Sequence, residues 1–313
     1  MPARFERERS IGKCGVMKEA RSRFESAVTG LWGPRIIWLI IGVAGAWSIG
    51  ESLDSRSSLV RTTVTFCAWI LWGAGVVALM VPSTLGLTVM RMLVALACGT
   101  AITSWADGAS SAAGASFVAC ALIGAMLVGS ADFGTECVQS SAYGDERRFL
   151  LRPPAAFLPP VVLAGLLWVA TAIAAPLLLG ARQWVVGLVV AAAAALLTVA
   201  LIPRFNTLSG RWLVMVPAGV VVHDEVVLGE TFMVARADIV DIELALEDTE
   251  AADLTGPAGG HAVEIRLRSM ATVVLAPDKE SPRGRALHVR SFIVTPSRPG
   301  AVLRYWTMPP PRT

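Results

Sequence analysis

Lysine is almost missing from this chain: Lys13, Lys18 and Lys279 stand alone among 27 basic residues, the rest being arginine. Charged residues make up 16% of the sequence, and a net charge of +3 is too weak a field for a nucleic-acid binder. The five cysteines, Cys14, Cys67, Cys98, Cys120 and Cys137, have no ligand-like spacing and none lies beyond residue 137, which argues against a zinc module and a disulfide scaffold. His223, His261 and His288 are the only histidines, and they lack the helical spacing of a metal pair. The acidic run around Asp248, Glu250 and Asp253 lacks the spacing of a calcium loop. No serine elbow, phosphate loop or dinucleotide fingerprint is present. Asp132-Phe133-Gly134 repeats a kinase triplet by letters alone, without the loops that give it meaning. The sequence therefore nominates no catalytic residue, no cofactor and no metal.

Apolar residues dominate instead, at 54% of the chain with a mean hydropathy of +0.61. They fall into six runs, about 35–50, 59–81, 85–105, 112–129, 160–180 and 183–202. Each is near the roughly 20 residues that cross a hydrocarbon core as helix. Backbone amides in lipid must pair within the segment, so six transmembrane helices are expected rather than a sheet. Trp32, Trp47 and Trp105 sit where interfaces are expected, and Pro34 stands at a tolerated helix start. The resulting organisation is a basic leader over 1–33, a transmembrane domain over 34–203 and a β-rich domain over 204–313. The leader reads equally as an amphipathic helix on an anionic leaflet or as a disordered arm. Ala44-Gly45-Ala46 resembles a signal-peptidase site, but so long a region before the apolar run argues against cleavage.

Orientation follows from arginine and lysine in short flanks, which resist translocation. Residues 1–35 hold eight, and Arg147, Arg148, Arg152, Arg204 and Arg211 fall on the same side; Arg56, Arg61 and Arg182 fall on the other. The asymmetry places both termini in the cytoplasm and the protein in a bacterial plasma membrane. Small side chains at Ser110–Ser116 and Ala191–Ala195 allow close helix approach, within the bundle or against a protein partner or second copy.

Ionisable groups are nearly absent from the spans. Arg91 is the exception, close enough to the cytoplasmic end to snorkel, and Asp132 and Glu136 follow the fourth span on the same side as possible partners. The link to the fifth span runs Tyr143-Gly144-Asp145-Glu146-Arg147-Arg148-Phe149-Leu150-Leu151-Arg152-Pro153-Pro154. Mixed charge before a rigid Pro pair suits an ordered element that binds lipid phosphate or docks the soluble domain, or else a solvated loop supplying positive charge.

From Arg211 onward the periodicity shortens to β-type runs, clearest in the alternation Val263-Glu264-Ile265-Arg266-Leu267-Arg268, which implies a small antiparallel barrel or roll. Pro296, Pro299 and Pro309 to Pro311 argue against a long closing helix. Val216-Pro217-Ala218-Gly219 between strands, followed by Arg236-Ala237-Asp238-Ile239-Val240-Asp241-Ile242-Glu243, resembles bacterial pleckstrin-homology-like modules that follow transmembrane helices. The chain as a whole resembles uncharacterised actinobacterial multipass integral membrane proteins, in Tyr143 to Pro154 and in Leu208-Ser209-Gly210-Arg211-Trp212 through His223-Asp224. Neither resemblance implies an activity.

Two functions are consistent with these residues. The first is a non-catalytic scaffold or accessory subunit of an envelope-related complex, whose β domain binds a protein partner or anionic lipid. The second is a transporter or lipid-handling subunit with a cytoplasm-facing cavity bordered by Arg91, Asp132 and Glu136. An enzyme acting on lipid at Tyr143 to Arg152 is a third and weaker expectation, because no acid, base and nucleophile are assembled there.

Overall fold

Serine starts four of the helices. Ser57, Ser83, Ser110 and Ser130 each turn the side-chain oxygen back onto a backbone N–H of the first turn, at Val60, Gly86, Ala113 and Phe133. The computed structural model describes residues 30–277, 281–282 and 284–307. The leader expectation over 1–33 lies mostly outside them. Six helices are long and apolar enough to cross a membrane: α1 (Gly30–Ser52), α2 (Ser58–Met80), α3 (Thr84–Ala106), α4 (Ser111–Gly129), α6 (Leu158–Gly180, preceded by a 3-10 turn at Ala155–Phe157) and α7 (Trp184–Ser209). A short helix, α5 (Ala131–Gln139), lies between α4 and α6. Pro203 falls inside α7, which continues to Ser209.

Helix α3 is the hub. It buries 56% of its apolar window inside the protein, whereas α2, α6 and α7 bury only 11% of theirs. Helices this apolar with their faces uncovered would be insoluble in water and are at home in a bilayer. Helices α1 and α2 are locked reciprocally: the Trp38 indole donates to the Trp72 carbonyl at 2.9 Å and the Trp72 indole to the Trp38 carbonyl at 3.0 Å. Glycine makes this possible, because a Cβ at Gly75 would fall within the Trp38 ring and one at Gly42 within the Trp72 ring. At the end remote from the β domain, Glu51 accepts from the Ser110 amide, and Arg56 and Arg61 pair with Asp107 and Asp54.

The β strands are β1 (Arg147–Leu150), β2 (Trp212–Val216), β3 (Gly219–His223), β4 (Phe232–Ala235), β5 (Ile239–Leu244), β6 (Ala252–Asp253), β7 (Val263–Leu275) and β8 (Arg285–Val294). They do not close into a barrel. They form two four-stranded sheets, ordered β1-β2-β3-β4 and β5-β7-β8-β6, antiparallel except for the β6–β8 pair. The 3-10 turn Arg236–Asp238 carries the chain from the first sheet to the second, so β4 and β5 do not pair. Single bridges at Leu151–Pro296 and Leu228–Leu275 join the sheets instead.

One core lies between the sheets, with Leu213, Val220, Val222, Ile265, Phe292 and Val294 at 0 or 1% exposure. Helix α8 (Pro299–Thr307) covers it with Val302. Pro299 opens this helix rather than breaking it, since a first-turn residue has no intrahelical partner for its missing N–H.

Strand β1 is the structural surprise. It precedes α6 in the chain, yet pairs with β2 in the register Arg147–Met215 to Leu150–Trp212 and gives Phe149 to the β core. The β domain is thus threaded onto the helical region at both ends of the α6–α7 hairpin. On the other face of β1, Leu150 packs at Gly134 of α5.

Candidate functional site

Four helices meet around an unfilled space at this junction. Thr88, Arg91, Met92 and Ala95 share one face of α3 by their i, i+3, i+4, i+7 spacing, and all line a cavity of about 890 Å³. Ala125, Val128 and Gly129 of α4 form one wall; Val161, Gly165 and Trp168 of α6, with Phe205 of α7, form the other. Helix α4 packs on α3 and α5 and not extensively on α6 or α7, so the space is a cleft with α3 as its floor. The β domain closes one end with Leu151, Arg152, Gly259 and Ser297.

The cleft is apolar at depth and cationic at the β-domain end. Its two charged lining residues are Arg91 and Arg152, and no carboxylate lines it. The Arg91 Nη1 donates to Ser209 Oγ at 3.3 Å. Among the described residues neither arginine makes an ion pair. Cys137, also near Arg91, provides no counter-charge: burial, opposed by the Arg91 charge, pushes its thiol up to about 12. Ser130, the N-cap of α5, and Ala131 bring the amide end of that helix to the same rim.

Arg152 is held by its main chain. Its N–H donates to the Thr295 carbonyl at 2.8 Å, and its carbonyl accepts from Arg211 Nη1 at 2.5 Å. Its side chain is exposed, lies against Gly260 and makes, among the described residues, one hydrogen bond, to the Gly259 carbonyl at 3.4 Å. Arg211 is itself 1% exposed; it grips Asp224 through two hydrogen bonds of 2.8 and 2.6 Å and donates to the Thr255 carbonyl at 3.1 Å. Asp224 also accepts the Val226 and Val227 amides, so this buried pair is fully satisfied.

The other candidates fall elsewhere. Asp132 pairs with Arg298 at the start of α8, not with Arg91. Glu136 faces Arg147, Asp132 and Arg298; burial pushes its carboxyl up, opposed mainly by Arg147. Neither acid lines the cleft, because Ala131 and Gly134 turn the small face of α5 toward Arg91 while the acids point away. Tyr143 is 86% exposed, and its amide donates to Glu146 Oε1 at 2.7 Å. Glu146 also takes Arg148 at 2.6 Å; partial burial opposes its ionisation, but the Tyr143 amide and Arg148 outweigh this and hold it below the usual carboxylate range. The Asp145 carbonyl accepts from the Tyr305 hydroxyl at 3.3 Å, and Arg148 lies over the Trp212 ring. Tyr143 to Arg148 therefore build the turn that leads into β1, and of the charged residues between Tyr143 and Pro154 Arg152 is the one that lines the cleft.

Ser130, Ser209, Trp168 and the buried Arg211 were not singled out by sequence. A usable signal existed for Ser130 and Ser209, which stand where the apolar runs end, the one as an N-cap and the other as the last residue of α7. The small-residue face of α4 is used internally, with Gly114 seated against Trp105 of α3. No group of three or more potential metal ligands occurs among the described residues. Comparison with protein-family models, curated proteins and solved structures found no match to this chain.

Proposed function

We propose that this chain is a non-catalytic multipass protein of a bacterial plasma membrane, a lipid-handling or accessory subunit that holds an anionic lipid in the cleft between its helices and its β domain. The observation that carries the reading is Arg91: a largely enclosed guanidinium, on a helix apolar enough to cross a bilayer, that faces open space and has no acidic partner. A charge near the end of a span costs less than the about 2.5 to 3.5 kcal/mol of mid-membrane, yet one that faces inward is normally retained where it pairs or lines a pathway. Arg152 adds a second cation, and the walls beyond the pair are hydrocarbon. An amphiphile with a negative head matches both ends.

Cytoplasmic placement of the β domain is part of the same proposal. It is supported by the count of basic residues in short flanks: Arg35, Arg147, Arg148, Arg152, Arg204 and Arg211 lie toward the β-domain end, against Arg56, Arg61 and Arg182 at the other. The two sheets over one core with a closing helix also suit the proposed likeness to pleckstrin-homology-like modules.

Native mass spectrometry of protein extracted in mild detergent tests the reading. Lipid adducts rich in anionic species are expected on the native chain and strongly reduced on Arg91→Ala. Adducts of the same amount and composition on both proteins would refute it.

A further inference from the structure

We infer that the ligand is a phosphate-headed lipid taken laterally from the leaflet on the β-domain side, its phosphate shared between Arg91 of α3 and Arg152 after β1. This rests on the anionic-lipid reading above and narrows it to one head-group chemistry and one leaflet.

The donor inventory selects the head group. Each guanidinium carries five N–H donors, and the side-chain hydrogen bonds these two make among the described residues are those to Ser209 and Gly259. The hydroxyls of Ser130, Ser209 and Ser297 stand at the same end. Carboxylate and phosphate both accept a guanidinium fork, but a carboxylate's two oxygens lie in one plane. A phosphate sets its oxygens, three non-bridging in a monoester and two non-bridging with two ester oxygens in a diester, around a tetrahedral centre that can meet arginines from two elements at once. A neutral head group would leave Arg91 without a counter-charge against largely apolar walls, and would leave the exposed Arg152 unused at the rim.

Depth selects the leaflet. Leu158 at the rim and Trp168 at the inner end are ten residues apart on α6, roughly 15 Å at the helical rise. That is about half of a ~30 Å hydrocarbon core, so the cleft reaches the chains of one leaflet only. Trp168 is fixed as the inner limit by its indole bond to Thr198 Oγ1 at 2.7 Å. Entry is lateral, between α4 and α6, where Ala95 and Gly165 leave the floor and wall low.

The experiment uses the full chain in phosphatidylcholine nanodiscs doped with phosphatidic acid, phosphatidylglycerol, oleate or diacylglycerol, reading lipid retention by mass spectrometry. Phosphatidic acid and phosphatidylglycerol are expected to be retained over the other two. Arg152→Ala is the decisive variant, because the exposed side chain meets only the Gly259–Gly260 turn among the described residues and its loss leaves the main-chain bonds in place; affinity for the phosphate lipids is expected to fall about tenfold or more, as for loss of a charged hydrogen bond. Oleate retained as well as phosphatidic acid, with both lost on Arg152→Ala, would overturn the phosphate assignment and leave the anionic-lipid reading standing. Diacylglycerol retained equally would overturn both. Displacement by millimolar inorganic phosphate would show a soluble-anion site and refute the lipid source.

Discussion

Arg211 is the residue on which the cationic rim depends, and its removal gives the largest stability effect expected outside the helices. Arg211→Met deletes two charged hydrogen bonds to Asp224 and the donors to the Arg152 and Thr255 carbonyls. Asp224, at 2% exposure, would then keep only the Val226 and Val227 amides as partners. Removing one member of a buried pair costs about 3 to 5 kcal/mol, which lowers the folded-to-unfolded ratio of the domain by roughly two to four powers of ten. Asp224→Asn is expected to cost a similar amount, now leaving the cation behind. The double variant should cost well under the sum, since both remove the same interaction. Differential scanning calorimetry of the detergent-solubilised chain reads all three. Single variants within about 0.5 kcal/mol of the native chain, as for ordinary surface positions, would refute the view that this pair ties β1, β2 and the Thr255 loop together.

Gly75→Ala places a methyl group inside the Trp38 ring and should destabilise the α1–α2 pair by about 1 to 3 kcal/mol in denaturant titration, whereas Gly73→Ala, with open space at its Cβ, should be neutral. Arg298→Ala breaks a half-exposed pair with Asp132 and should change the melting temperature little, as such pairs are worth about 0 to 1 kcal/mol. Glu136 is raised above its ordinary value of 4.5 by burial, so the native state binds its proton more tightly than the unfolded chain. Its protonated form therefore adds stability below about 4.5 that is lost as pH rises through the raised value. Glu136→Gln should remove this dependence, giving a gain near neutral pH that vanishes in acid; an unchanged pH profile would contradict it.

The helical half was legible because lipid-facing helices obey a compositional rule strong enough to read from one segment at a time. Strand β1 was not, because its four residues, two arginines followed by two apolar residues, carry no alternation, and its partner β2 lies beyond two long helices. The barrel expectation failed for a related reason: which strands sit at sheet edges depends on pairings across the whole chain. Arg211 looked like another flank arginine, since nothing local reveals that Asp224, thirteen residues on, is buried with it. Arg91 was visible as an isolated charge in an apolar run, but its expected acids were misplaced, because whether Asp132 and Glu136 face inward depends on how α5 seats Gly134 against α3 and β1.

The most direct measurement is an experimental density map of the chain in nanodiscs containing phosphatidylglycerol. Elongated density along α3 and α6, ending at Trp168 and headed between Arg91 and Arg152, is the expected result. A cleft filled by rearranged side chains, or an Arg91 turned onto a protein carboxylate, would contradict it.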